Sequence, residues 1–202
     1  MRLILVRHGK PAEAGDAPTG NPPLSEPGHD QARRVARFLE HEPIELIVHS
    51  GMQRAAQTAE PLIARLGLDP RIVPDLGEVD RYGGAYANIE MVKAKGGSEW
   101  SRFLADPIGY FGVDADRFRN ETLAAFESLF NAGRRKTVAV FTHGFPINIL
   151  LSHALALENV AHFVPDYGSI TRVTGSALDR LTVVSVNETG HQRLSRMSGE
   201  RE

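Results

Sequence analysis

Two apolar stretches of the sequence end in an arginine or a threonine that is followed by a histidine and a glycine. Leu3–Val6 leads into Arg7-His8-Gly9, and Thr137–Phe141 leads into Thr142-His143-Gly144. A histidine can act as a nucleophile or as an acid–base group, and a neighbouring arginine attracts an anionic substrate. The two stretches therefore predict a site at which histidines act on a bound anion.

Both stretches have the length and composition of buried β-strands. In a parallel sheet the carboxyl ends of such strands lie at the same edge, which is where open α/β sheets usually bind ligands. His8 and His143 are therefore expected to meet, although they are far apart in the sequence. A further predicted strand, Ile44–His49, ends at the same edge, and the helix that follows it carries Arg54 in its first turn.

The resulting pocket is strongly positive, which favours a phosphoryl group as the bound anion. The planar guanidinium groups of Arg7 and Arg54 are suited to gripping phosphoryl oxygens in pairs. A helix that begins near Phe145, next to Gly144, would direct backbone N–H groups to the same place. The sequence alone thus predicts a phosphate-binding pocket.

Strands and helices alternate along most of the sequence. The predicted strands are Leu3–Val6, Ile44–His49, Arg71–Val73, Thr137–Phe141, Ser169–Thr174 and Leu181–Val186. The predicted helices run from Ser25 to about His41, from near Ala55 to Gly67, from Asp114 to Gly133 and from about Pro146 to Leu157. This order predicts an α/β protein with a three-layer α/β/α, doubly wound and mostly parallel sheet.

One domain is expected to span residues 1–202, because 202 residues suffice for one sizeable core and are few for two. Residues 79–113 contain several glycines and no clear period, and we interpret them as a partly helical insertion over the active site. Residues from about 187 to 202 are polar and are expected to form a fraying tail.

Composition narrows the class of protein. The formal net charge of -2 shows no excess of basic residues that would indicate binding to nucleic acid or a membrane surface. The sequence contains no cysteine, which excludes disulfides, thiol catalysis and cysteine-bound zinc. It shows neither a signal peptide nor an apolar run of the ~18 residues that a transmembrane helix needs. A cytoplasmic protein is expected.

Four motifs, in this order, resemble those of the histidine phosphatase superfamily, the phosphoglycerate mutase-like group. The resemblance covers roughly residues 1–80 and 114–186. The motifs are Leu5-Val6-Arg7-His8-Gly9, Asn21-Pro22-Pro23-Leu24-Ser25 with Gly28 and Gln31-Ala32, Ser50 with Arg54-Ala55 and Gln57-Thr58-Ala59, and Thr142-His143-Gly144.

The resemblance implies a phosphoglycerate mutase-like fold and a mechanism through phosphohistidine. In this mechanism His8 is the nucleophile, and Arg7, Arg54 and His143 hold the phosphoryl oxygens. Asn21 is expected to add to the phosphate pocket from its loop. Gly144, at the start of the helix predicted to begin near Phe145, is also expected to be one of the phosphate-binding residues. The substrate is expected to be a small phosphorylated metabolite, and the resemblance implies no metal and no cofactor.

A carboxyl group must protonate the leaving oxygen and later take a proton from water. The family places this glutamate in a Leu-x-Glu pattern, which matches Leu76-Gly77-Glu78, and Glu78 is preferred over Asp80 or Asp75. Members of the family commonly continue with a glycine and a Glu-Gly pair, whereas this sequence continues Asp80-Arg81-Tyr82-Gly83-Gly84-Ala85-Tyr86-Ala87. The position of Glu78 relative to the phosphate and the wall around the substrate are therefore open at this stage.

We expect a metal-independent phosphatase of the histidine acid type that hydrolyses a small phosphomonoester. A phosphoglycerate mutase-type phosphoryl transfer is the alternative, because Arg81-Tyr82-Gly83 partly matches the mutases, although few basic residues follow it. A non-catalytic phosphate-binding module and a metal hydrolase are less favoured, and the latter predicts loss of activity with a chelator. Specificity should lie in residues 79–113. An exposed edge strand would allow a homodimer, which nothing in the sequence requires.

Overall fold

The computed structural model describes residues 1–12, 20–83, 86, 89–132 and 135–193. The strands are β1 (Arg2–Arg7), β2 (Leu46–His49), β3 (Arg71–Ile72), β4 (Thr137–Thr142), β5 (Ile170–Ala177) and β6 (Arg180–Glu188). The α-helices are α1 (Glu26–Leu39), α2 (Gln53–Leu66), α3 (Ile89–Lys95), α4 (Gly97–Ala105), α5 (Ala115–Ala132), α6 (Gly144–Leu155) and α7 (Gly190–Arg193). Short 3-10 helices span Pro74–Leu76, Val79–Tyr82 and Gly109–Phe111.

The strands form one sheet in the order β3-β2-β4-β1-β5-β6. The first four strands in sequence pair in parallel, whereas β5 runs antiparallel to β1 and β6 antiparallel to β5. The β1 side chains alternate between two buried clusters, with Leu3 and Leu5 on one face of the sheet and Ile4 and Val6 on the other. Helices cover both faces, so the predicted doubly wound, mostly parallel α/β fold is confirmed.

The helix that carries Arg54 is held against the end of β1. Thr58, one turn further along α2, accepts a hydrogen bond from the Gly9 N–H at 3.0 Å and donates one to the Arg54 carbonyl at 2.6 Å. The predicted end of α2 at Gly67 is also observed, with this glycine in the left-handed region at φ 63°. These contacts fix Arg54 beside the carboxyl end of β1.

The described residues of segment 79–113, which include α3 and α4, fold over the same edge as a partly helical layer, as the sequence analysis expected. Val79, Ile108 and Phe118 share a buried cluster with Ile149 of α6 and with Val160. The insertion is thereby packed on α5 and α6, the helices that precede and follow β4 in the chain.

The polar C-terminal segment contains more structure than the expected tail. β6 continues to Glu188, and the short α7 buries His191. The His191 ring stacks on Phe38 of α1 at 5.1 Å, and its Nε2 lies 2.9 Å from the Gly168 carbonyl. Regular structure therefore continues beyond Asn187, because α7 packs on α1. Residues 194–202 lie outside the described residues, and so does the predicted helix end at Gly133.

Within the part of the chain that the structure describes, every helix is too short or too polar to cross a membrane.

Candidate active site

His8 follows β1 directly and is 2% exposed. Its Nδ1 lies 2.7 Å from the Gly9 carbonyl, and its Nε2 lies 3.3 Å from Nε of Arg54. A carbonyl only accepts and a guanidinium only donates, so the hydrogen resides on Nδ1 and the lone pair on Nε2. Burial, followed by the charges of Arg54 and Arg7, holds the pKa of His8 well below its usual value. The ring is therefore neutral and presents a nucleophilic nitrogen.

The structure brings His143 to His8, as the two strand ends predicted. The ring centroids are 4.9 Å apart, and His143 is fully buried. Its Nε2 lies 2.8 Å from Oγ of Ser50, while its Nδ1 has no hydrogen-bond partner among the described residues. Burial, and then the charge of Arg54, also holds the pKa of His143 well below its usual value. His143 is thus a neutral, buried ring beside His8, and it is not among the described residues that line the pocket at His8.

Arg54 is completely buried and forms an ion pair with Asp80, whose side chain is 3% exposed. Arg54 Nη2 lies 2.9 and 3.0 Å from the two Asp80 carboxylate oxygens, and its Nη1 has no partner among the described residues. The guanidinium also lies 4.9 Å above the ring of Tyr86. Asp80, which the sequence analysis left as an alternative for the acid, is therefore engaged in orienting Arg54.

Arg7 completes the cationic end of the pocket. Its Nη1 donates to the Pro165 carbonyl, and its guanidinium carbon lies 4.1 Å above the ring of Tyr167. The adjacent Gly168 adopts φ 69° and donates its N–H to the carbonyls of both Arg7 and His8, at 3.0 and 3.1 Å. The sequence analysis did not identify Tyr167 as a contact of Arg7. The available signal was its position three residues before β5, the strand that pairs with β1.

Glu78 lines the same pocket and faces the first turn of α6. Its Oε2 accepts from the Phe145 N–H and its Oε1 from the Val79 N–H, each at 3.1 Å. Burial raises the pKa of Glu78 to about 7, and the negative charge of Asp80 adds to this effect. Glu78 can therefore give up or take a proton near neutral pH.

This raised pKa makes the free energy of unfolding depend on pH. The folded state holds the proton up to a pKa of about 7, above the ordinary value of 4.5, so the stabilisation is complete below pH 4.5 and is lost as the pH rises through 7. Relative to Glu78→Gln, the wild type should lose on the order of 1–3 kcal/mol between pH 5 and 8. Urea unfolding of both proteins at the two pH values measures this difference.

The exposed Glu60 of α2 provides the matched control for this experiment. Glu60→Gln should show the same pH dependence of unfolding as the wild type. Parallel stability curves for the wild type and Glu78→Gln would contradict the raised pKa.

Gly144 and Asn21 are placed differently from each other. Gly144 lines the pocket, and a Cβ atom there would lie 3.6 Å from Oε2 of Glu78. Asn21 is not among the described residues that line the His8 pocket; it lines a neighbouring cavity that also includes Asp75 and Asp80. Its Oδ1 accepts from the Gln53 N–H at 3.0 Å, because the first turn of α2 needs an acceptor. The structure therefore does not bring Asn21 into the central pocket.

The central pocket has an empty volume of about 550 Å³, its open mouth included. Among the described residues, the ionisable side chains that line it at the end of β1 and β4 include Arg7, His8, Arg54 and Glu78. In the described part of the chain, no three His, Cys, Asp or Glu side chains are grouped so that they could hold a metal ion.

The site thus combines an uncharged imidazole with two arginines at the carboxyl edge of a doubly wound sheet. An α/β protein with this arrangement is suited to phosphoryl chemistry. The sequence model of the histidine phosphatase superfamily (branch 1) matches residues 3–189. The chain belongs to this superfamily, which confirms the resemblance seen in its motifs.

Some known proteins of this kind align over most of the chain, and others over a part of it. The adenosylcobalamin/alpha-ribazole phosphatase of Salmonella typhi is 35% identical over 179 residues, which are 83% of this chain and 87% of that protein. The alignment with the enzyme of the same name from Salmonella typhimurium, also 35% identical, is shorter and covers 39% of this chain and 41% of the relative. Mycobacterial glucosyl-3-phosphoglycerate phosphatase, solved with VO3, superimposes with a TM-score of 0.74 at 23% identity over 92% of this chain and 98% of its own, and shares the fold.

Proposed function

We propose that the protein is a metal-independent phosphatase of the histidine acid type, which hydrolyses small phosphomonoesters through a phosphohistidine on His8. The observation that carries this proposal is the state of the His8 ring. Its Nδ1 hydrogen is held by the Gly9 carbonyl, and its Nε2 lone pair faces the cationic end of the pocket. Membership of the superfamily and the names of the relatives, which are phosphatases, support hydrolysis.

In the first step the phosphoryl group of the ester lies among Arg7, Arg54 and His143. Nε2 of His8 attacks phosphorus in line, and the bond from phosphorus to the ester oxygen breaks. The leaving oxygen takes the proton of Glu78, so an alcohol departs. The two guanidinium groups stabilise the negative charge of the transition state, and such prearranged electrostatics is usually the largest catalytic contribution.

In the second step a water molecule attacks the phosphohistidine. The Glu78 carboxylate removes a proton from the water, the N–P bond breaks, and inorganic phosphate leaves with neutral His8 restored. A pKa of about 7 suits Glu78 to both steps, because the group must be an acid first and a base afterwards.

The role of Glu78 predicts a dependence on the leaving group. p-Nitrophenolate departs without a proton, whereas the alkoxide of ethyl phosphate needs one. At pH 6, Glu78→Gln should lower kcat/KM for ethyl phosphate by about 10²–10⁴-fold, and for p-nitrophenyl phosphate by less than about tenfold. The assay is run with a chelator, and the wild type should remain active in it.

Glu60→Gln is the control for these kinetics and should behave as the wild type. Equal losses for the two esters would show that Glu78 is not the acid. Loss of wild-type activity in the chelator would favour the metal hydrolase.

The mutase alternative makes a different prediction. A mutase would transfer the phosphoryl group to a second hydroxyl group, so 2,3-bisphosphoglycerate would label His8 with little net release of phosphate. A phosphatase releases one phosphate for each ester consumed. Location in the cytoplasm, formation of a homodimer, a single domain over residues 1–202 and phosphate binding by Asn21 stay predictions from the sequence.

A further inference from the structure

We propose that the group esterified to the phosphate is predominantly apolar, so that the preferred substrates are alkyl or aryl phosphomonoesters rather than phosphorylated sugars or phosphorylated carboxylic acids. This inference rests on the proposed phosphatase function and assigns its substrate class. It concerns the apolar residues that line the pocket together with the arginines.

Apolar side chains form most of the lining of the pocket, and we call them the apolar wall. They are contributed by the insertion, by the start of α6 and by the loop before β5. The apolar wall consists of Ile89, Phe103, Phe111, Phe145, Val160, Ala161, Phe163, Val164 and Pro165.

The aromatic members of the wall hold one another in place. Phe111 packs edge-on against Phe103 at 6.1 Å and against Phe145 at 5.9 Å. Phe103 is 1% exposed and stacks on Trp100 at 5.3 Å, behind the pocket. Such interlocked rings keep their positions, so the wall presents a preformed apolar surface to a ligand.

Apart from Arg7 and Arg54, the described residues that line the pocket include no lysine or arginine. Asn148 is 5% exposed, and its Nδ2 donates to the carbonyls of Gly144 and Phe163 at 3.1 and 3.0 Å. Only its Oδ1, which has no partner in the described residues, is left for a ligand, and it accepts a hydrogen bond. A carboxylate placed against this wall would lose its hydration without gaining a cationic partner of its own, which opposes binding.

The mouth of the pocket adds a second observation. Val164 is 50% exposed although it belongs to the wall, and it is one of the large apolar side chains that solvent reaches. A bound alkyl or aryl group would cover it and remove its apolar surface from water, which favours binding.

The direct test compares ethyl phosphate with hexyl phosphate. Both release a primary alcohol, so the chemical step is matched and the difference in kcat/KM reports contact with the wall. Each buried methylene group contributes up to about fourfold, and we expect hexyl phosphate to be preferred by at least about tenfold. O-Phosphoserine, which also carries the phosphate on a primary oxygen, should fall below ethyl phosphate. Equal kcat/KM for the two alkyl esters, or a preference for O-phosphoserine, would overturn the proposal.

A pair of valine variants tests the location of this preference. Val164→Asn should lower the ratio of kcat/KM for hexyl phosphate over ethyl phosphate by at least about threefold. Val184 of β6 is similarly exposed, at 57%, and does not line the pocket, so Val184→Asn should leave the ratio unchanged. A ratio that is insensitive to Val164→Asn, or that falls equally in both variants, would remove the wall as its cause.

Non-hydrolysable phosphonates separate this inference from the proposed function. Calorimetry should show that hexylphosphonate binds more tightly than ethylphosphonate. If neither ester is hydrolysed and hexylphosphonate still binds more tightly, the phosphatase proposal fails while the apolar wall is supported. If both esters are hydrolysed equally and both phosphonates bind equally, the phosphatase proposal stands and the apolar substrate class is refuted.

Discussion

Replacement of His8 by alanine is expected to lower kcat/KM for p-nitrophenyl phosphate by at least about 10⁴-fold, because the phosphoryl acceptor is lost. The residual rate should be that of the pocket alone, in which the proposed phosphate ligands Arg7, Arg54 and His143 remain but no nitrogen attacks phosphorus. Steady-state assays with a chelator present measure the loss. A variant that keeps the rate to within a few-fold would refute the nucleophile assignment.

A chemical signature accompanies this prediction. The wild type is allowed to react briefly with a ³²P-labelled ester, and the reaction is stopped without acid. The protein should then carry a label that acid removes and alkali does not, as expected of a phosphohistidine. His8→Ala should carry no label. His41→Ala is the control, since the His41 side chain is 88% exposed at the end of α1, and it should label and turn over as the wild type does.

Replacement of Arg54 by methionine is expected to lower kcat/KM by about 10²–10³-fold, the loss typical of one group that stabilises a charged transition state. It should also destabilise the fold by about 3–5 kcal/mol, because Asp80 would remain buried without its partner. Enzyme kinetics and urea unfolding of the same variant measure the two effects.

The double variant Arg54→Met with Asp80→Asn separates these two effects. It removes the orphaned charge, so it should regain a large part of the stability while the activity stays low. If activity returns together with stability, Arg54 acts through the fold and does not contact the phosphoryl group. The buried ion pair therefore offers a way to distinguish a binding role from a structural role.

The sequence by itself determined the main strands and the place of the two histidines. Continuous apolar runs such as Thr137–Phe141 are typical of strands buried on both faces, and their carboxyl ends share one edge in a parallel sheet. This is why the meeting of His8 and His143 could be predicted. The resemblance to the family, through the Leu-x-Glu pattern, favoured Glu78 over its neighbours, and this carboxyl lines the pocket.

Only the tertiary structure decided how these groups are tuned. The pKa of Glu78 depends on its burial and on the charge of Asp80, neither of which a local pattern contains. The pairing of Asp80 with Arg54 and the engagement of Asn21 by α2 likewise arise between segments that are distant in the sequence. The apolar wall combines side chains from three such segments, so the proposed substrate class depends on how these segments pack.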